Sequence, residues 1–486
     1  MKRAWLALLL WPAVASLPAV AADEMVTLRV MTFNVWYGGE QVSLEKVGEA
    51  IRAANADIVG VQEADRNLER IAEVAGMPYV DPRRRLLSRW PIFDSGSGLR
   101  SESGPSPYST TALDLDALHA WIMVRPGRVV AVANVHLSSG AGEDAVRLAE
   151  TRPLEALGRL AADGIPVYLT GDFNSPSHLD AAASDRERPE DANPLDRAVT
   201  RVLADSGLRD SFREAYPDSV KHPGFTWTPG APHPLLDHDR SRSRIDYVFT
   251  GGRSTTVGSG IVGELDGLET DIEVFPWPSD HRAVVSTFQV VPADAPALIS
   301  AAPRLVQQGA SVLVRTWDPH GPAWTALVVR RGGEPRDALT GVRDMPHDYQ
   351  RTIPLSTVGL AAGDYDVVLV GEDGAVLRRS AFTIAAPGAR PEIVAISPST
   401  RIGEPIRVRW RNAPGDLRDW IGLYRAGETD VSQYLGFIYT EAAFAGETSF
   451  VPDATDGRIV PGDYEIRLLH DESYVVLAKA PITLAP

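Results

Sequence analysis

The stretch Ile165-Pro166-Val167-Tyr168-Leu169-Thr170-Gly171-Asp172-Phe173-Asn174 decides the fold. An apolar run of strand length stops at Gly171-Asp172, and a carboxylate and a carboxamide two residues apart project the same way from an extended chain. Asp172 is placed to take a proton from water, and Asn174 to donate a hydrogen bond to whatever that water attacks. By itself the tetrapeptide is an ordinary strand end. Its meaning comes from the residues that close and open the other strands.

Upstream, Val26 to Asn34 alternates as a strand, and Ser43 caps a helix whose apolar positions Leu44, Val47, Ile51 and Ala54 share a face. Asp57 to Glu63 predicts a second strand, and Leu68, Ile71 and Val74 a short helix ending near Gly76. Ala131 to His136 reads as another strand, followed by a helical stretch from Glu143 to Ala162 interrupted at Pro153. Later strands open at Arg244-Ile245-Asp246 and at His281. Asn34, Glu63, His136 and Asp172 thus each close a strand, whereas Asp246 and the pair Asp280-His281 each open one. If the last two strands run antiparallel to their neighbours, all these residues converge on one rim. Strands interleaved with helices predict an α+β layered sandwich, two packed β-sheets with helices outside.

Near residue 292 the pattern changes to prolines and short alternating runs, with residues 386 to 391 as a linker. Gly363-Asp364-Tyr365-Asp366-Val367 reappears as Gly462-Asp463-Tyr464-Glu465-Ile466, and Val312 to Trp317 as Ile406 to Trp410. Trp324 answers Trp420 in the same comparison. Two tandem β-sandwich domains of immunoglobulin-like type are expected, at 294–386 and 391–486, after a first domain at 23–292. Trp317, Trp410, Tyr365 and Tyr464 read as core or corner residues.

A chain of 486 residues is long enough for two or three domains. Lys2-Arg3, an apolar stretch from Ala4 to Val20 and Ala19-Val20-Ala21 predict a signal peptide over residues 1–21, hence an exported protein, periplasmic or extracellular, with no transmembrane segment once it is removed. Zero cysteines leave stability to the cores and to any bound metal. The formal charge of -16, or -18 without Lys2 and Arg3, disfavours tracking along a polyanion, so an anionic substrate needs a bound cation or a local basic patch. The basic clusters are Arg83-Arg84-Arg85, read as solvated loop charge, and Arg240, Arg242 and Arg244, of which Arg242 and Arg244 are candidates for contact with substrate phosphate. Residues 181 to 195 read as a solvated excursion.

Oxygen donors Asn34, Glu63 and Asp280, without thiolates, suit a hard divalent cation: Mg²⁺ first, with Mn²⁺ or Ca²⁺ possible. Such a cation beside a base and two histidines fits phosphoester hydrolysis.

The ordered set Thr32-Phe33-Asn34, Val61-Gln62-Glu63, Asn134-Val135-His136-Leu137, Gly171-Asp172-Phe173-Asn174, Arg244-Ile245-Asp246-Tyr247 and Ser279-Asp280-His281 resembles the endonuclease/exonuclease/phosphatase family, which includes deoxyribonuclease I. The resemblance implies a four-layered sandwich, with Glu63 as the main metal ligand and Asn34 and Asp280 helping to hold one or two ions. It also implies that Asp172 orients or deprotonates the attacking water and that Asn174 binds phosphoryl oxygens. His136 and His281 would flank the phosphate, and Asp246 would fix the tautomer of His281. The expected activity is phosphoester hydrolysis, on a diester before a monoester, with extracellular nuclease or sphingomyelinase-like hydrolysis as the alternative. A reading of a different class is a protein that attaches to a surface or polymer through its tandem sandwiches.

Overall fold

The computed structural model describes residues 25–94, 118–139, 143–180, 197–227, 243–267, 269–318, 324–345, 349–416, 418–440, 443–452, 457–470 and 474–486. The signal peptide, the 181–195 excursion and Arg242 lie outside them.

The N-terminal half runs β1 (Val26–Asn34), α1 (Leu44–Ala53), β2 (Ile58–Gln62), α2 (Leu68–Ala75), β3 (Tyr79–Asp81), β4 (Leu86–Ser88), β5 (Ile92–Asp94), β6 (Ala120–Arg125) and β7 (Arg128–His136). It continues through α3 (Asp144–Thr151), α4 (Glu155–Ala162), β8 (Val167–Asp172), α5 (Ala198–Asp205), β9 (Arg209–Asp210), α6 (Ser211–Ala215), β10 (Asp246–Gly251), β11 (Ser254–Gly263), β12 (Ile272–Glu273), β13 (Ala283–Val290) and β14 (Ala293–Asp294). One seven-stranded sheet has the order β12-β11-β13-β1-β2-β4-β3, and the other β5-β6-β7-β8-β10-β9 with β14 beside β7. Both late strands are antiparallel to their neighbours, β13 to β1 and β10 to β8. Strand starts and strand ends therefore meet at one rim.

Three apolar clusters make the layers. Met31, Val59, Val61 and Val285 of the first sheet pack on α1 and α2 through Val47, Ile51, Leu68 and Ile71. Leu28, Val30, Ile122, Val132, Tyr168, Val248 and Phe288 fill the space between the sheets. Leu157, Val199 and Leu203 cover the outer face of the second sheet. The order is helices, sheet, sheet, helices. Local sequence explains the helix ends: Ser43 Oγ accepts from Lys46 N at the start of α1, and Gly76, at φ 71°, ends α2. Pro153 sits in a 3-10 turn, Arg152–Leu154, that separates α3 from α4.

Towards the rim the interface between the sheets becomes polar, and Gln62, Asn134 and Thr170 hydrogen-bond across it. Gln62 Nε2 and Thr170 Oγ1 donate to Asn134 Oδ1 at 2.6 and 3.0 Å, and Asn134 Nδ2 donates to Val61 O at 2.9 Å. A Cβ on Gly60 would lie 1.9 Å from Thr170 Oγ1, so only glycine lets the sheets close here.

Two sequence expectations fail on burial. Arg83, Arg84 and Arg85 are 9%, 2% and 5% exposed, not solvated. Arg84 pairs with Asp81 at 2.5 Å and Asp94 at 3.2 Å, acids three residues before and ten residues after it, which makes the run an internal brace. Arg244 is likewise withdrawn from the rim, paired with Asp180 and Asp210 at 2.7 Å each and stacked over Tyr247, which gives it a structural role in place of the expected phosphate contact.

Each C-terminal domain packs a three-stranded sheet on a five-stranded one in the same strand order. Tyr365 and Tyr464 are buried, and each donates its hydroxyl to the carbonyl four residues back, Ala361 O at 2.6 Å and Val460 O at 2.7 Å, as corner residues do. The structural register corrects one detail of the repeat. Arg330 pairs with Tyr365 and Thr325 with Val370, while Arg425 pairs with Tyr464 and Trp420 with Leu469. Thr325, not Trp324, therefore holds the position of Trp420.

Neither domain hangs free. β14 adds Ala293 and Asp294 to the sheet of β7, opposite Val129 and Arg128. Leu298 and Trp317 join the cluster that holds Leu157 and Leu203.

Candidate active site

The rim is assembled by register. β7 is parallel to β8 with His136 opposite Asp172, and β10 is antiparallel to β8 with Asp246 opposite Asp172. His136, Asp172 and Asp246 therefore stand abreast on three adjacent strand ends. The facing sheet brings Asn34, opposite Gln62 in the β1–β2 pairing, with Glu63 next in the chain. Ser279 completes the ring, donating its Oγ to Asn34 O at 2.7 Å and accepting from His281 N at 3.0 Å, which brings the Asp280-His281 turn onto the rim.

Asp172 is 1% exposed and is the hub. Its Oδ1 accepts from Asn174 N at 2.9 Å, and its Oδ2 accepts from Asn34 Nδ2 at 3.1 Å with His136 Nε2 at 3.6 Å and His281 Nε2 at 3.7 Å. Burial and the neighbouring Asp246 hold its carboxyl above the ordinary range, against the opposing pull of His281 and His136. His281 Nδ1 lies 3.0 Å from Asp246 Oδ2. Burial alone would push this imidazole down, but Asp246 and Asp172 raise it well above its usual value, which favours its charged form between the two acids. The chain leaves the strand at Asp172, and Asn174 adopts φ 47°. A turn, not the two-residue period of a strand, positions the Asn174 amide, which donates to Leu137 O at 2.9 Å.

The expected metal donors come together on the other side of Asp172. Asn34 Nδ2 donates to Glu63 Oε1 at 3.0 Å, and Glu63 Oε2 accepts from Tyr37 N at 3.0 Å. Asp280 is pushed up to about 7 by burial, with Glu63 and Asp172 adding to the effect and His281 opposing it. Its Oδ1 is enclosed with no hydrogen-bond partner. A buried carboxylate oxygen without a donor, crowded by a second carboxylate, is a donor set that a hard cation fits. Asp172, Asp246 and His281 form a tighter group, with ligand atoms all within 4.8 Å of one another.

A partly open cavity of about 130 Å³ adjoins Glu63 and His136. It holds residues that the strand-end pattern does not mark: Tyr37, three residues beyond Asn34, and Asp65, two beyond Glu63. Proximity to the motifs was the available signal for both. The opposite wall comes from the second C-terminal domain, for which the sequence carried no signal beyond aromatic content. Among the described residues, no helix is long and apolar enough to cross a membrane.

Comparison with known proteins agrees with the geometry. The profile of the endonuclease/exonuclease/phosphatase family matches residues 31–281. Uncharacterized protein F14F9.5 of Caenorhabditis elegans is 28% identical over 299 residues, 54% of this chain and 92% of that protein. Among solved structures, an endonuclease/exonuclease/phosphatase from Beutenbergia cavernae is 19% identical, covering 74% of this chain and 100% of that one, with a TM-score of 0.35. Truncated Caenorhabditis elegans TDP2 is 19% identical, covering 54% and 97%, with a TM-score of 0.36. The family profile spans more than half of the chain and contains every strand end described above, and the protein belongs to the endonuclease/exonuclease/phosphatase family of metal-dependent phosphoester hydrolases.

Proposed function

We propose that the protein is a phosphodiesterase that works with Mg²⁺, or with Mn²⁺ or Ca²⁺ in its place, held by Glu63 and Asp280 with Asn34 beside them. The observation that carries this reading is the row of His136, Asp172 and Asp246 in register, bridged by His281 and faced by Glu63 and Asp280. When bound, the cation neutralises phosphoryl oxygens and lowers the barrier to attack.

The chain's own residues supply the remaining chemistry. Asp172, raised above an ordinary carboxyl, accepts a proton from the water as its oxygen bonds to phosphorus. The phosphorus–ester oxygen bond breaks, the leaving alkoxide takes a proton from solvent water, and Asp172 afterwards returns to solvent the proton it accepted. His281, kept cationic and oriented by Asp246, stabilises negative charge on the phosphoryl group. His136 flanks the other side, and Asn174, anchored to Leu137 O, donates its amide to a phosphoryl oxygen. A diester is favoured over a monoester because, among the described residues lining the cavity, there is neither lysine nor arginine, and one negative charge is easier to accept there than two. We also propose that the protein acts outside the cytoplasm after removal of residues 1–21, which N-terminal sequencing of the exported protein would check.

The test is turnover of bis(p-nitrophenyl) phosphate against p-nitrophenyl phosphate with added Mg²⁺. Faster diester cleavage that is abolished by chelation and by Asp172→Asn supports the reading. Turnover unaffected by both would sink it.

A further inference from the structure

The two C-terminal domains share one strand order, so each serves as a control for the other. On the five-stranded sheet of the first, a small cluster contains Leu327, Val329, Val368 and Val370. In the second, Trp420 stands where the first has Thr325, and Tyr424 where it has Val329. Tyr434, Phe437, Tyr439 and Tyr474 gather around Trp420. Aliphatic side chains build the same fold, so the aromatic cluster is surplus to folding.

Its location says what it is for. Trp420, Tyr434, Phe437, Tyr439 and Tyr474 line the cavity that Glu63 and His136 also line, and the Tyr474 ring meets that of Tyr37 at 6.0 Å, which joins the wall to the catalytic domain. Around Trp420 the rings meet edge to face, Tyr434 at 5.4 Å and 73°, Phe437 at 6.0 Å and 85°, and Tyr474 at 6.3 Å and 79°. The wall is tied to the strand end that carries His136: Arg418 pairs with Glu150 at 3.5 Å, and Glu150 accepts from Ser138 N and Oγ at 3.0 and 3.1 Å.

We infer that the second β-sandwich is part of the active site and that its aromatic wall is a specificity subsite for a single aromatic ring carried on the substrate phosphate. This deepens the hydrolase reading and rests on it. A further ring continues the edge-to-face packing already present around Trp420. About 130 Å³ is close to the roughly 150 Å³ of an apolar cavity known to accept benzene. The chain's net negative charge disfavours a polyanionic duplex as the carrier of that ring.

The test uses the full chain with Mg²⁺ and ligands whose phosphorus–carbon bond cannot be hydrolysed, so that binding is read apart from turnover. Calorimetry compares phenylphosphonate, methylphosphonate and 2-(trimethylammonio)ethylphosphonate. The phenyl compound should bind about tenfold or more tightly than the methyl compound, as one or two ring contacts would give. That ratio should collapse in Tyr474→Ala, shrink in Tyr474→Leu, which keeps bulk without the ring face, and persist in Tyr474→Phe. Equal binding of phenyl and methyl, a ratio unchanged in Tyr474→Ala and Tyr474→Leu, or tighter binding of the ammonium compound would each overturn the proposal. Selectivity for phenyl without turnover of any ester would keep the subsite and remove the hydrolase reading. Turnover without selectivity would do the reverse.

Discussion

The cavity has a charged floor and an aromatic wall, and the two are built by opposite means. The floor is set by strand register: once β7, β8 and β10 pair, His136, Asp172 and Asp246 have no choice but to stand together. The wall is set by domain packing, from residues 420 to 474, on sheets that, among the described residues, share no hydrogen-bonded ladder with the floor. The proposed division puts the hydrolytic chemistry on strand ends and the choice among substrates on another domain, joined to the floor through Arg418, Glu150 and Ser138.

The largest effect should come from removing the hub of the floor. Asp172→Asn should lower kcat by roughly 10²–10⁴ on every ester, because it takes away the proton acceptor while keeping the shape. A loss confined to aromatic esters would mean that floor and wall are not separable. Asp280→Asn should come next, weakening Mg²⁺ binding by more than about tenfold in a calorimetric titration, since the enclosed Oδ1 is an acceptor without a donor. Unchanged affinity would move the cation away from the Glu63 side.

Gly60→Ala tests whether the floor depends on close approach of the sheets. Its Cβ would fall 1.9 Å from Thr170 Oγ1 and 2.4 Å from Asn134 Oδ1, both locked in the polar ladder. The expected cost is about 1–3 kcal/mol of stability in urea unfolding, with activity falling on all esters alike. Normal stability would mean that the sheets yield more easily than the hydrogen bonds imply.

The same contrast explains what could be read in advance. Asn34, Glu63, His136, Asp172, Asp246 and Asp280-His281 were visible because each sits where an apolar alternation stops or starts, and local sequence controls where strands end. Trp420 and Tyr474 were not, since an aromatic on a β-sandwich strand looks the same whether it fills a core or faces a neighbouring domain. Arg83-Arg84-Arg85 misled for a related reason: a run of charge reads as solvated unless its partners are known, and Asp94 lies on a different strand. Arg244 followed suit, its acids at 180 and 210 being far away in the chain.

The smallest effect separates the two halves by acid. His119 is pushed down to about 3, chiefly by burial and secondly by the Arg84 charge, and its Nε2 is enclosed without a hydrogen-bond partner while the ring meets Trp121 edge to face. A histidine kept neutral in the fold but free to protonate at about 6.5 when unfolded draws protons to the unfolded chain. Its contribution is therefore whole above about pH 6.5, and stability drains away as pH falls from there towards 3. At pH 5 the expected loss is roughly 2 kcal/mol, the free energy of about 1.5 pH units below 6.5. The urea midpoint of the catalytic half should drop between pH 7 and pH 5, and His119→Leu should flatten that drop. In the second sandwich His470 Nε2 lies 2.8 Å from Asp416 Oδ2. If both halves soften together in acid, or if His119→Leu leaves the slope intact, floor and wall unfold as one unit and their independence is confined to function.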